Sequence, residues 1–219
     1  MRAGSRVDLT GVCCAHDRRP VVRGVDLVVE PGERVALTGT NGSGKTTLLR
    51  ALLGLHPVSS GVITVDGDRA RTARDWDRRR QAAAWIPQRQ ASGRFPLLAR
   101  ELLVSSGDLG ASMQAAQRLG VAAVANRPLD TLSGGQLQRM YLARAAGCVA
   151  AGAGLLLADE PTAALDFAGQ TEAAELLLAL PVTALVVTHD RALADRCDRV
   201  LEMADGRLRE IPSRQQEIA

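Results

Sequence analysis

The sequence predicts an α/β domain on a mainly parallel central sheet, with an antiparallel β unit at its N-terminal end and a helical subdomain inserted in its middle. Three observations carry this. Two uninterrupted apolar runs, 154–158 (GLLLA) and 182–187 (VTALVV), flank a helical pattern over 168–180, as strands buried on both faces alternate with covering helices. Near the N-terminus, β-branched runs at 7–14 and 21–29 are joined by the turn-rich AHDRRP, which suits an antiparallel pair. From about 97 to 150 the pattern is helical and strand-free, broken at Gly107, Gly110, Gly120 and Pro128.

The remaining elements fall between these. Glu33 to Thr38 reads as a strand running into a glycine-rich turn and then a helix over Thr46–Leu53. Segment 61–66 alternates as an edge strand would, and 84–87 is a short apolar run stopped by Pro87. Residues 198–203 and 207–211 form a hairpin around Asp205-Gly206. At 219 residues, 46% of them hydrophobic, the chain can bury a single core, so one domain over 1–219 is expected, with a core at about 1–88 and 150–219 and the helical subdomain at about 89–149.

Net charge is +3 with signs mixed, and there is no basic run of the kind that binds nucleic acid; Arg78-Arg79-Arg80 reads as a solvated helix face. Cys13, Cys14, Cys148 and Cys197 lack metal-ligand or CxxC spacing and read as core thiols of a reducing compartment. No signal-peptide pattern is present, and the longest uncharged apolar run, Ala145 to Ala158, falls short of the ~17 to 25 residues a membrane span needs. A cytoplasmic location is expected.

Of the 27 Lys and Arg residues, a single one is lysine. That residue, Lys45, closes the run Gly39-Thr40-Asn41-Gly42-Ser43-Gly44-Lys45-Thr46, which fits G-x-x-x-x-G-K-[ST] between a strand and a helix, with Thr47 next in line. Backbone N–H groups in such a turn can face phosphates, the helix offers its positive end, the lysine reaches the outer phosphates, and Thr46 can ligate Mg²⁺. At the end of the run Leu155–Ala158, Asp159 would hold Mg²⁺ and Glu160 would polarise an attacking water. Leu132-Ser133-Gly134-Gly135-Gln136 opens the helical run Leu137–Ala146 and offers a second anion-binding turn, which one nucleotide cannot easily share with the first. Ser133 also suits an N-cap.

Taken in order, these motifs make the chain resemble the ABC ATPases from Val7 to about Ile211. Gly39–Thr46 matches the family's phosphate loop, Gln88 its Q-loop, Leu132–Gln136 its LSGGQ signature, and Leu155–Glu160 its Walker B strand and glutamate. Ala164-Leu165-Asp166 matches its D-loop and His189 its switch histidine. The resemblance implies a P-loop NTPase fold with a RecA-like core, ATP and Mg²⁺ as cofactors, and a head-to-tail dimer in which the phosphate loop of one subunit and Ser133–Gln136 of the other enclose one ATP. It implies that Gln88 contacts the metal or water, that His189 contacts the γ-phosphate, and that His16 stands where the family stacks an aromatic ring on adenine. Two departures follow: imidazole gives a smaller platform, and Ala163 replaces a frequent D-loop serine.

The function implied is the ATP-hydrolysing subunit of an ABC transporter, peripheral on the inner face of the cell membrane. Its partners would be a second ATPase subunit and integral membrane permease subunits, with a substrate-binding protein if it imports. Pro87-Gln88 followed by Phe95-Pro96-Leu97 and Glu101-Leu102-Leu103 is similar to the same region of metal-ion importers for zinc, manganese or iron chelates. The alternatives are an exporter motor, or a soluble ABC ATPase acting on ribosomes or DNA. The second is disfavoured by a single cassette and by the short interval between Gln88 and Leu132.

Overall fold

The computed structural model describes residues 4–88 and 97–211. Strands β1 (Val7–His16), β2 (Arg19–Val29), β3 (Arg34–Thr38), β4 (Ser60–Val65), β5 (Ala83–Ile86), β6 (Leu155–Asp159), β7 (Thr183–Val187), β8 (Arg199–Ala204) and β9 (Arg207–Ile211) form two sheets. The helices are α1 (Lys45–Leu52), α2 (Ala73–Gln81), α3 (Ala99–Val104), α4 (Leu109–Arg118), α5 (Gly134–Ala150), α6 (Phe167–Ala179) and α7 (Arg191–Ala194).

The larger sheet has the order β5-β6-β7-β3-β8-β9 and is parallel except for β9, which returns antiparallel on β8. Its central strands read as unbroken apolar runs because both faces are covered. On one face Leu155, Leu157, Leu185, Val187, Val35 and Leu37 pack with Leu48, Leu49 and Leu52 of α1 and with the small sheet. On the other, Leu156, Ala158, Ala184 and Val186 pack with Met140 and Leu142 of α5 and with Leu176 and Leu177 of α6. The core of α3–α5 is continuous with this second face, since Leu103, Ala115 and Leu119 belong to the same cluster.

The small sheet has the order β2-β1-β4, antiparallel throughout, so 61–66 is an edge strand as its alternation suggests. The hairpin is tighter than the polar stretch 15–20 implies. β1 runs to His16 and β2 starts at Arg19, leaving a turn at Asp17-Arg18 with φ of 46° and 64°. Left-handed values at both positions match the twist of the flanking strands, which outweighs the local polarity.

Three further details depart from the sequence reading. Gly110 does not break the chain; it lies in the first turn of α4, capped by the Asp108 side chain on Ala111 N at 2.9 Å. Helix α2 is real, with a Thr72/Asp75 capping box, but Arg79 is not solvated. It is buried, its guanidinium 5.1 Å from the Trp76 ring centroid and donating to the Asp68 carbonyl, because an arginine stem can cover apolar surface while the head finds local acceptors. Cys14, Cys148 and Cys197 are buried free thiols, while Cys13 is only half-buried. Among the described residues no helix is long and apolar enough to cross a membrane.

Candidate active site

The turn between β3 and α1 is pressed between two backbones. A Cβ on Gly39 would lie 2.1 Å from the Met203 carbonyl oxygen of β8, and one on Gly44 would lie 2.6 Å from the Val21 carbonyl oxygen of β2; both glycines have left-handed φ, 128° and 108°. The chain there can be only glycine, and between these two points Thr40, Asn41 and Gly42 are exposed at the tip of the turn. Lys45 opens α1 and folds back, its Nζ donating to the carbonyls of Gly39 at 2.7 Å and Thr40 at 2.9 Å. The ammonium is buried, which lowers its pKa, while Glu160 and Asp159 oppose that shift. An ammonium held by two neutral carbonyls beside an open turn is ready to exchange them for anionic oxygens.

Asp159 ends β6, and both of its carboxylate oxygens are buried without a hydrogen-bond partner. Burial raises its pKa; the Thr46 hydroxyl, although not in hydrogen-bond geometry, and the charges of Arg50 and Lys45 oppose the rise. The Ser43 hydroxyl is likewise buried and unpartnered. Orphaned buried polar groups are costly, and an acidic one beside a threonine hydroxyl on a phosphate-type turn is the donor set that suits Mg²⁺. Thr46 and Asp159 thus fit that ion.

Glu160 follows in a left-handed conformation, φ 53°, with its N–H donating to the Val187 carbonyl at 2.9 Å. This turns its side chain away from that of Asp159. Its Oε2 accepts from His189 N at 3.3 Å, and His189 Nε2 lies 3.3 Å from Oε1, too poorly aligned for a hydrogen bond. Burial raises the Glu160 pKa, and His189 works against it. Lys45, Thr46, Asp159, Glu160 and His189 therefore gather at the C-terminal ends of β3, β6 and β7, where parallel sheets place ligands. Gln88 lies exposed at the same end, two residues beyond β5, which pairs with β6 through Ile86 and Ala158.

The second turn behaves as its sequence implies. Ser133 caps α5 in a full capping box: its hydroxyl accepts from Gln136 N at 3.2 Å, and Gln136 Oε1 accepts from Ser133 N at 3.0 Å. Ser133 and Gly134 are exposed, while Gly135 sits against Ala164, whose carbonyl oxygen would lie 3.2 Å from an added Cβ. The buried Gln138 donates to the Pro161 carbonyl at 2.7 Å, and Arg139 reaches Asp166 at 3.4 Å. Asp166 itself caps α6, accepting from Gly169 N at 3.1 Å. The signature turn is thus braced on the segment that follows Glu160.

His16, at the hairpin tip, has a side chain 75% exposed; its ring stacks on His56 at 6.4 Å between centroids, and His56 Nε2 lies 3.1 Å from the Ala15 carbonyl oxygen. His56, Gln138 and the backbone walls at Val21 and Met203 are parts of this region that sequence reasoning missed. Each acts through a contact with residues distant in the chain, and no local pattern announces it. Phe95 and Pro96 lie outside the described residues.

The fold and the site together define a nucleotide-hydrolysing cassette, and comparison with known proteins agrees. A family model described as "ABC transporter" matches residues 22–163. The lipoprotein-releasing system ATP-binding protein LolD of Anaeromyxobacter dehalogenans is 37% identical over 210 residues, covering 86% of this chain and 84% of its own. The hemin import ATP-binding protein HmuV of Streptomyces coelicolor is 40% identical over 225 residues, covering 94% and 74%. Among solved structures, an ATP-binding cassette captured as a dimer in a post-hydrolysis state with ADP and Pi aligns with a TM-score of 0.82 at 27% identity, over 94% of this chain and 97% of that one. The chain belongs to the ABC transporter family of ATP-binding cassettes. Within that family it is an ATPase subunit with the P-loop fold read from its sequence.

Proposed function

We propose that this chain is the ATP-hydrolysing motor of a membrane transporter and that it works as a head-to-tail homodimer, closing two ATP molecules between the phosphate loop of each subunit and Ser133–Gln136 of the other. The observation that carries this is the division of the machinery: one chain holds two outward-facing turns at helix N-termini, yet only the first is served by Lys45, Asp159, Glu160 and His189. A dimer of ATP-binding cassettes is known among its structural neighbours.

In this reading the N–H groups of Gly39–Thr47 and Lys45 hold the phosphates, His16 stacks on the base, and Thr46, Asp159 and Gln88 hold Mg²⁺, which neutralises phosphate charge when bound. Glu160, steadied by the His189 backbone, accepts a proton from a water whose oxygen attacks the γ-phosphorus as the bond to the β-phosphate oxygen breaks. Ser133, Gly134, Gly135 and Gln136 of the partner and the His189 side chain stabilise the charge that develops. Closure would pull on permease subunits docked on the helical subdomain at the cytoplasmic face, with nucleic acid playing no part. For the cargo we favour a metal chelate, supported by the similarity to HmuV and by the sequence after Gln88; the similarity to LolD supports lipoprotein release as the second reading.

Glu160→Gln removes the proton acceptor and keeps the shape. The variant should bind ATP, lose at least a hundredfold in turnover, and accumulate as an ATP-bound dimer on size exclusion. Hydrolysis at the native rate would contradict the mechanism. The permease captured with the trapped dimer, a chelate importer or a lipoprotein-release subunit, would decide between the two cargoes.

A further inference from the structure

Phe167 is 85% exposed, more than any other large apolar side chain among the described residues. Among the described residues nothing covers the ring. It occupies the first position of α6, held by the Asp166 cap before it and by Thr171 Oγ1 donating to its carbonyl at 3.2 Å, and a helix start has no need of an aromatic. The ring is therefore displayed from a rigid mount. A single exposed leucine would be ordinary, but an aromatic ring almost wholly in water is the type of residue that anchors interfaces.

Its neighbours say what it faces. The preceding residues, Ala164 to Asp166, are the ones on which Gly135 and Arg139 of the signature helix rest. Asp166 is itself largely exposed, and so are Ser133 and Gly134, the latter next to Ala164. Phe167 thus stands at the margin of the surface that carries the second anion-binding turn. The other exposed apolar side chains of the helical part, Leu97, Leu98 and Val104, sit on α3 and its approach and belong to a different element.

We infer that Phe167 is an apolar anchor that packs on a second copy of this chain when the composite ATP site closes, so that the dimer is held by a pair of symmetry-related rings as well as by nucleotide. This rests on the head-to-tail reading above. If Ser133 and Gly134 approach a nucleotide held by the partner, a ring displayed three residues beyond Ala164, the residue on which Gly135 rests, is carried toward the partner with them. A C2 dimer buries it twice.

The test uses the full-length Glu160→Gln protein with Mg·ATP, its dimer dissociation constant measured by sedimentation and its monomer affinity by a fluorescent ATP analogue. Adding Phe167→Ala should weaken the dimer on the order of a hundredfold, about tenfold per ring, with Phe167→Leu recovering most of the loss. ATP binding by the monomer and its melting temperature should not change, because the ring touches neither the phosphate loop nor the core. Equal dimer constants for Glu160→Gln with and without Phe167→Ala would overturn the anchor while leaving the composite site standing. Failure of the Glu160→Gln protein itself to dimerise at any concentration would overturn both.

Discussion

At the residue scale, the two acids at the end of β6 show how burial prepares a site for a ligand. Asp159 has both oxygens in the interior without a partner, and burial holds its pKa above the ordinary carboxylate range. Because its folded-state pKa is raised, its contribution to stability is favourable below the unfolded value, about 3.9, and is lost as pH rises through the folded value. Ionising the buried carboxylate therefore costs the nucleotide-free protein stability, a cost that Arg50 and Lys45 only partly offset. Asp159→Asn should raise the melting temperature of that form by about 2–4 °C at pH 7, corresponding to ~1 kcal/mol in a chain this size. The gain should vanish near pH 4, and Mg·ATP should stabilise the variant much less than the native protein. Thermal melts at the two pH values, with and without Mg·ATP, check all three outcomes. The identities of these residues were legible in the sequence only in combination: an apolar run ending in acids is common and usually structural, and the glycine turn with the lone lysine upstream is what singles this pair out. The pressure on Gly39 from Met203 and on Gly44 from Val21 was not legible, because both contacts join segments far apart in the chain.

At the scale of elements, α5 links the two halves of the machinery. Its first turn presents Ser133 and Gly134, its second ties Gln138 to Pro161, and its far end lies close against α4. Gly147 makes that approach possible: a Cβ there would sit 1.9 Å from Ser112 Oγ and 2.6 Å from Ser106 Oγ, two hydroxyls bonded to each other in the interior. Gly147→Ala should destabilise the protein by about 1–3 kcal/mol through this overpacking, despite alanine's better helix propensity. Urea unfolding measures it; a stabilised variant would show that α4 and α5 can separate freely. Strands β6 and β7 were legible as apolar runs because both of their faces are covered, and β3 through the glycine turn that follows it. Helix α2 was not recognised as an element beyond its arginine cluster, because its sequence ARDWDRRRQ is mostly charged and it is tied down in part by arginines, Arg79 on the Asp68 carbonyl and Arg80 on the Leu53 carbonyl, a residue type normally found in water.

At the scale of the whole molecule, Asp159 and Glu160 and the turn at Ser133–Gln136 are the two poles of the proposed site, joined by the segment from Glu160 to Phe167. The motif order made the family readable from sequence. The brace between Gly135 and Ala164, and the ring displayed at Phe167, depend on how α5 and α6 pack and only the structure shows them. The central claim, that each ATP is hydrolysed between one subunit's Lys45 and the other's Ser133, can be tested by complementation. Lys45→Ala and Ser133→Arg proteins should each be inactive alone. Mixed in equal amounts, they form heterodimers with one intact site, because the native Lys45 of one chain meets the native Ser133 of the other. Random pairing predicts recovery of about a quarter of native ATPase activity. Absence of recovery at every mixing ratio, with heterodimers confirmed to form, would contradict a site shared between subunits.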